Sequence, residues 1–410
     1  MKKLIIIETS DIGARYTAEA GQRLGLHPIF LVNSQNYQGD TLAQLRAFDH
    51  YEVDTTSVAA MAHFLMKQDW DIAAVTTFLD SRLHLAIELS EMLQVRGLDA
   101  RLKPYKDKGA VYELAPHLSP PSVCFRRDHF PSVEIDELRS RFPAVIVKPR
   151  CAAGGIGARF FSVHESIADI QEYVRVRSLP AHLQPEEWMV QAFVEGELVS
   201  VEGFVHNGET TLLGFTGRRK IGNTESWCGF PYEKRISRAA ADEARAKVRE
   251  LLSLARIRFG FFHIELMISG NQAFIIDANM GRMGGGGIGE IFAVAFQAPP
   301  AEIFAEVLNL SLFPEAPIAD LWKEAPRAAV SVAYGLPIES DLQEIRPVPP
   351  SVFHTQILDR GAHVPAMGTD NWAWVGIVSG EHNSVREFLR SVNFKTSRGW
   401  QPAAFAMAGE

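Results

Sequence analysis

Cysteine is scarce in this chain: Cys124, Cys151 and Cys228 are the only three in 410 residues. They are widely spaced and form no CxxC pair, which excludes a disulfide framework and a zinc-knuckle site and fits a reducing compartment. Long apolar runs are also missing. Leu4 to Ile7 gives four apolar residues before Glu8, too few for the apolar region of a signal peptide. No stretch approaches the about 20 apolar residues of a membrane-crossing helix. Basic charge is in deficit, with 41 Lys and Arg against 49 Asp and Glu and a net charge of -8, the reverse of the footprint of a nucleic-acid binder. Internal repeats and low-complexity tracts are absent. With 47% apolar and 22% charged residues, disordered, collagen-like and coiled-coil classes are poor fits. What remains is a soluble, cytoplasmic protein long enough for two to four domains at the usual domain size.

Several catalytic signatures are absent too. The first strand runs into Glu8-Thr9-Ser10-Asp11-Ile12-Gly13, without the GxGxxG turn of a dinucleotide site, and no GxxxxGK[ST], GxSxG or HExxH occurs. The strands themselves are there. Apolar runs at Leu4 to Ile7, Ile29 to Val32 and Ile72 to Val75 alternate with helical patterns at Ala14 to Leu24, Ser57 to Lys67 and Leu83 to Val95, which predicts βαβ units around a parallel sheet. A helical segment from Pro104 to Ala115 and the proline-rich Pro116 to Pro121 form a hinge. The middle of the chain reads as α+β with antiparallel pairs, among them a hairpin at Asn207-Gly208. A long helix over Ala239 to Arg256 precedes a second hairpin, and a small subdomain closes the chain. The expected division is an N-terminal α/β domain over 1–103, a lid over 104–195 with its hinge at 104–121, and a C-terminal domain over 196–410.

Three local patterns carry chemistry. In the first, Val145-Ile146-Val147-Lys148 is a buried strand delivering a lysine, followed by the small-residue stretch Ala152 to Gly157. Such a loop lets backbone N–H groups approach phosphate oxygens while the lysine supplies charge; the alternative is a strand-end lysine beside a flexible turn. In the second, Phe262-His263-Ile264-Glu265-Leu266 is followed by Asp277, Asn279, Arg282 and Gly284 to Gly287. A three-residue loop of Gly270-Asn271-Gln272 would set Glu265 across from Asp277, with Asn279 on the same face. Two facing carboxylates are unfavourable unless a hard cation neutralises them, and oxygen ligands of this kind suit Mg²⁺ with nucleotide phosphates. His263 is expected on the opposite face, in a structural role. The third pattern, Val190 to Glu197, is an extended run ending in an acidic glycine turn, which alone fits any edge strand.

In order along the chain, these elements resemble the ATP-grasp superfamily of carboxylate-amine ligases, from about Lys108 to Gly287. The resemblance implies an α/β parallel-sheet N-terminal domain followed by two α+β subdomains that clamp ATP. It assigns the phosphate-touching lysines to Lys108, with Lys106 as the alternative, and to Lys148. Gly154, Gly155 and Gly157 would cover the phosphates, and Gln191, Ala192 and Val194 would bind adenine largely through backbone. Glu265, Asp277 and Asn279 match the metal ligands, and Arg282 the arginine that steadies the acyl-phosphate. Four positions depart from the family pattern: Asp277 stands where glutamate is usual, and Gln191 likewise replaces a glutamate. Arg282 lies three rather than two residues beyond Asn279. The ribose-binding acid falls on Leu198, which makes Glu197 the substitute candidate.

The implied reaction uses ATP with Mg²⁺, or Mn²⁺ in its place, to convert a carboxylate into an acyl-phosphate that an amine attacks; Lys148 and Arg282 stabilise the transferring charge. Gly376 to Glu381 is similar to the last subdomain of stand-alone amino-acid or dipeptide ligases. The alternatives are a biotin-carboxylase-like or nucleotide-precursor ligase, although no Met-Lys-Met motif is present, and a catalytically silent ATP-binding module. Arg218, Arg219 and Lys220 begin a stretch to Phe230 that in the family carries a loop reaching phosphate and substrate. Lys220 is the candidate there, against a solvated charge run. The partners expected are small-molecule carboxylates and amines and a second copy in a homodimer, with neither nucleic acid nor membrane.

Overall fold

The computed structural model describes residues 1–9, 13–152, 155–179, 186–345 and 352–407. Four sheets organise the described residues. The first is parallel, in the order His50–Glu52, His27–Val32, Lys3–Ile7 and Ile72–Thr76. Its central strands are continuous aliphatic runs because both faces are covered: Leu4 and Ile6 pack into one apolar cluster and Ile5 and Ile7 into another. The helices Arg15–Arg23, Val58–Met66 and Leu83–Leu93 form as their periodicity predicts. The short edge strand His50–Glu52 and the helix Gly39–Leu45 carry too few apolar residues to stand out in the sequence.

The 104–115 segment is two elements rather than one. A 3-10 helix, Ala100–Lys106, ends at Asp107, whose carboxylate accepts the Gly109 N–H at 2.8 Å and so caps the helix Lys108–Leu114. The lid follows as an antiparallel sheet in the order Ser122–Arg126, Glu187–Ala192, Val145–Pro149 and Arg159–Phe161. Helices Ser132–Arg141 and Ile167–Val176 pack on it around Trp188 and Phe161.

The largest sheet has eight strands. Gln272–Met280, Gly260–Ser269, Glu197–His206, Glu209–Ile221 and Thr224–Phe230 lie side by side, followed by Ala329–Tyr334, Gly376–Gly380 and Phe353–Gln356. The helices Arg238–Leu254, Ile288–Ala295 and Pro300–Leu312 contribute buried residues to its core. Two expectations change here. The stretch from Arg218 to Phe230, expected as a loop, is the end of one strand, a tight turn after Ile221 and the partner strand of a hairpin, with Lys220 opposite Glu225. The hairpin of Glu265 and Asp277 reaches its register by a different route: its turn spans only two residues, since Ser269 pairs with Gln272, and a bulge after Glu265 restores Glu265 opposite Asp277. Among the described residues no single helix is long and apolar enough to cross a membrane.

Candidate active site

The lid and the large sheet meet at two lysines. Lys108 Nζ lies 3.2 Å from Asp277 Oδ2 and donates to the Ala152 carbonyl at 2.9 Å. Lys148 Nζ, from the centre of the lid sheet, donates to Gln191 Oε1 at 2.9 Å and to the Ile276 carbonyl at 3.1 Å. Burial, helped by the Lys108 charge, pulls the Lys148 ammonium down to about 8. Burial pulls Lys108 the same way, but Asp277 and Asp80 outweigh it and its pKa is raised. A narrow cleft between the two sheets is lined by Lys108, Val111, Met189, Gln191, Ile276 and Asp277. A roomier cavity of about 640 Å³ lies elsewhere, between the Arg15–Arg23 helix and the start of the Pro300–Leu312 helix, and none of these residues lines it.

The metal-ligand candidates share one face of the large sheet, because cross-strand partners point the same way. Glu265 pairs with Asp277, His263 with Asn279, Glu202 with His263 and Ser200 with Glu265. Glu265 is bound by Arg218, which also forks onto Glu225. Burial pushes the Glu265 carboxyl up, but the Arg218 guanidinium holds it well below the usual range, so it stays ionised. His263 corrects the expectation of an opposite face: residues two apart in a strand share a face, and its Nε2 lies 3.4 Å from Glu265 Oε1. Glu225 and Glu265 share the single guanidinium of Arg218, and Glu202 lies against His263. The Glu265 and Asp277 carboxylates, with the Asn279 amide oxygen beside them, are hard oxygen donors of the kind that suits a divalent cation. Among the described residues no three His, Cys, Asp or Glu side chains close on one point as a ready-made metal site.

Arg282 donates to Asn279 Oδ1 at 2.9 Å and to Asp80 Oδ1 at 3.1 Å. Lys106 pairs with the same Asp80. Burial pushes Asp80 up, yet Arg282 and Lys106 hold its carboxyl far below the ordinary value. At the lid loop, Gly155 (φ 73°) and Gly157 (φ 71°) adopt left-handed backbone, and a Cβ on Gly157 would come within 2.9 Å of Pro149 Cγ; Gly154 lies outside the described residues. Gln191 is buried and donates to Ser122 Oγ at 3.0 Å, the Ala192 N–H donates to the Pro121 carbonyl at 2.8 Å, and Val194 is half-buried. Glu197 accepts from the Tyr232 hydroxyl, and the Lys220 side chain is exposed.

Sequence reasoning missed Asp80, Glu202, Arg218 and Glu225 as members of this cluster. Arg218 had one available signal: in a strand it alternates with Arg219, so a hairpin reading would have turned one of them inward. Asp80 had none, since its partner Arg282 is 202 positions away.

Residues 141–290 match the family model described as an ATP-grasp domain. A search of curated proteins returned no match to the sequence. Among solved structures the chain is similar to an L-amino acid ligase from Bacillus licheniformis, with TM-score 0.74 and 17% identity over 95% of this chain and 96% of that one. It is similar to phosphoribosylglycinamide synthetase from Anaerococcus prevotii, with TM-score 0.69 and 14% identity over 96% and 99% of the two chains. A third is the biotin carboxylase domain dimer of 2-oxoglutarate carboxylase from Hydrogenobacter thermophilus, solved with MgADP, ADP and bicarbonate, with TM-score 0.71 and 10% identity over 98% and 92%. Residues 141–290 thus match an ATP-grasp domain, and the whole chain shares its fold with the L-amino acid ligase and the phosphoribosylglycinamide synthetase.

Proposed function

We propose that the protein is a cytoplasmic ATP-dependent ligase that joins a carboxylate, an amino acid, to an amine through an acyl-phosphate, releasing ADP and phosphate. One observation carries the reading: two buried lysines from the lid side, Lys108 and Lys148, converge on the strand of Asp277, the residue paired with Glu265. Basic groups that grip phosphate and hard oxygen ligands thus face each other across one cleft. The amino-acid substrate is inferred from the likeness to an L-amino acid ligase.

In this reading Lys108 and Lys148 hold the phosphates as point charges. Gly155 and Gly157 let the lid backbone close on them. Gln191, Ala192 and Val194 bind adenine, Glu197 the ribose, and Lys220 reaches the phosphates from the rim. Glu265, Asp277 and Asn279 would hold Mg²⁺ or Mn²⁺, which when bound neutralises charge on the phosphates. A carboxylate is a poor electrophile, so its oxygen must first become a leaving group. Lys148 and Arg282 stabilise the charge spread over the phosphoryl group as it transfers to that oxygen. Arg282 then steadies the oxyanion that forms as the amine attacks, and no nucleophilic side chain is needed. Divisions at 103/104 and 195/196 and a homodimer complete the proposal.

The test is phosphate release from ATP over a panel of amino-acid pairs. Stimulation by at least one carboxylate and amine pair is expected. Binding of Mg·ATP without stimulation by any pair would leave only the silent module. Lys148→Ala and Asp277→Ala should each abolish turnover while circular dichroism stays native; near wild-type turnover in either overturns the site.

A further inference from the structure

Four side chains behind the proposed metal ligands form a continuous buried chain that ends on Glu265. Ser200 Oγ donates to Glu202 Oε1 at 2.7 Å, and His263 Nδ1 lies 2.8 and 3.0 Å from the two Glu202 oxygens. On the other side of the ring, the Arg218 NH1 group is 2.7 Å from His263 Nε2, and Arg218 grips Glu265 and Glu225. Ser200, Glu202 and His263 are 0%, 1% and 3% exposed. An Arg218 N–H approaching Nε2 at 2.7 Å needs a lone pair there, so the ring N–H is assigned to Nδ1, where Glu202 accepts it. The ring is also backed by the glycine loop, since a Cβ on Gly284 would lie 2.5 Å from His263 Nδ1.

A buried ionic cluster of this kind is a poor source of stability, because well-packed apolar residues of similar volume do as well or better. Its geometric effect is definite. Arg218 is a planar fork whose N–H groups are directed onto Glu225, His263 and Glu265 together. With the ring fixed by Glu202 and the fork fixed by the ring, the Glu265 carboxylate is held in one orientation. We infer that Ser200, Glu202, His263 and Arg218 are positioning residues that pre-set Glu265 as a metal ligand, an inference that rests on the proposed role of Glu265. Outer partners of metal-ligating groups act in this way elsewhere.

The experiment uses the full chain saturated with ADP and titrated with Mn²⁺, free Mn²⁺ being read by electron paramagnetic resonance. Binding of ADP without metal is measured in parallel by calorimetry. His263→Leu and Glu202→Gln should weaken Mn²⁺ binding by about 10- to 100-fold with metal-free ADP affinity unchanged. His263→Gln, whose amide both donates and accepts, should recover most of that loss. Glu265→Gln separates the two layers of the argument. If it binds Mn²⁺ like the wild type, the metal assignment falls and the positioning role with it. If it loses Mn²⁺ while His263→Leu and Glu202→Gln retain it, the positioning role alone is overturned. A parallel loss of metal-free ADP binding, or a His263→Gln no better than His263→Leu, also overturns it in favour of a purely structural cluster. If the buried variants fail to fold, Ser200→Ala decides: several-fold weaker Mn²⁺ binding supports the role and unchanged binding overturns it.

Discussion

Glu290 sits in the first turn of the Ile288–Ala295 helix, 2% exposed, and its Oε2 atom has no hydrogen-bond partner among the described residues. Burial pushes its carboxyl up to about 7, with its own backbone N–H only partly opposing. Between the ordinary glutamate value and that point the folded state keeps a proton that the unfolded chain has lost, so stability falls as pH rises and levels off above about 7. Glu290→Gln removes this titration. Urea unfolding should find the variant little changed at pH 5 and more stable by about 3 kcal/mol at pH 8; an equal difference at both pH values contradicts the assignment. The residue scale is also where the sequence was least legible. A buried Arg218 and an exposed Lys220 look alike in a run of basic residues, and only the strand pairing opposite Cys228 and Glu225 separates them.

At the scale of elements, Asp107 joins the hinge to the lid. It caps the Lys108–Leu114 helix and forks onto Arg150, accepting from Nε at 2.7 Å. Asp107→Ala loses a cap and leaves a mostly buried guanidinium short of a partner, at a cost of about 2 to 4 kcal/mol in denaturant unfolding. Because Lys108 opens the capped helix, KM for ATP should rise as well; unchanged KM would mean that the lysine is placed independently of its helix. Most strands and helices were readable because alternation and 3.6-residue periodicity survive burial. The hairpin of Glu265 and Asp277 was readable only in outcome. Its turn is one residue shorter than expected and its bulge adds one back, and a bulge leaves no mark in hydrophobic pattern. The Arg218 to Phe230 strands were hidden for another reason: charged residues occupy the inward-facing positions where alternation would show apolar ones.

At the scale of the molecule, Asp80 ties the N-terminal sheet to the rest. It follows the Ile72–Thr76 strand and holds both Lys106 and Arg282. Asp80→Ala strips two mostly buried cations of their shared countercharge and should cost about 3 to 5 kcal/mol, with kcat falling as Arg282 loses its anchor. A loss of stability with kcat intact would confine Asp80 to holding the sheets together. The parallel sheet, the lid and the antiparallel sheet were all legible as separate patterns; their meeting at Asp80, Lys108 and Asp277 was not, since tertiary ion pairs have no periodicity. The net charge of -8 describes the surface, while Lys108, Lys148 and Arg282 gather on the Gln272–Met280 strand. The most direct test of the whole account is phosphate release from Mg·ATP by the full chain, with and without amino-acid pairs. The account predicts release that depends on a carboxylate and an amine together and disappears in Lys148→Ala. Release that no pair stimulates, or that survives Lys148→Ala, contradicts it.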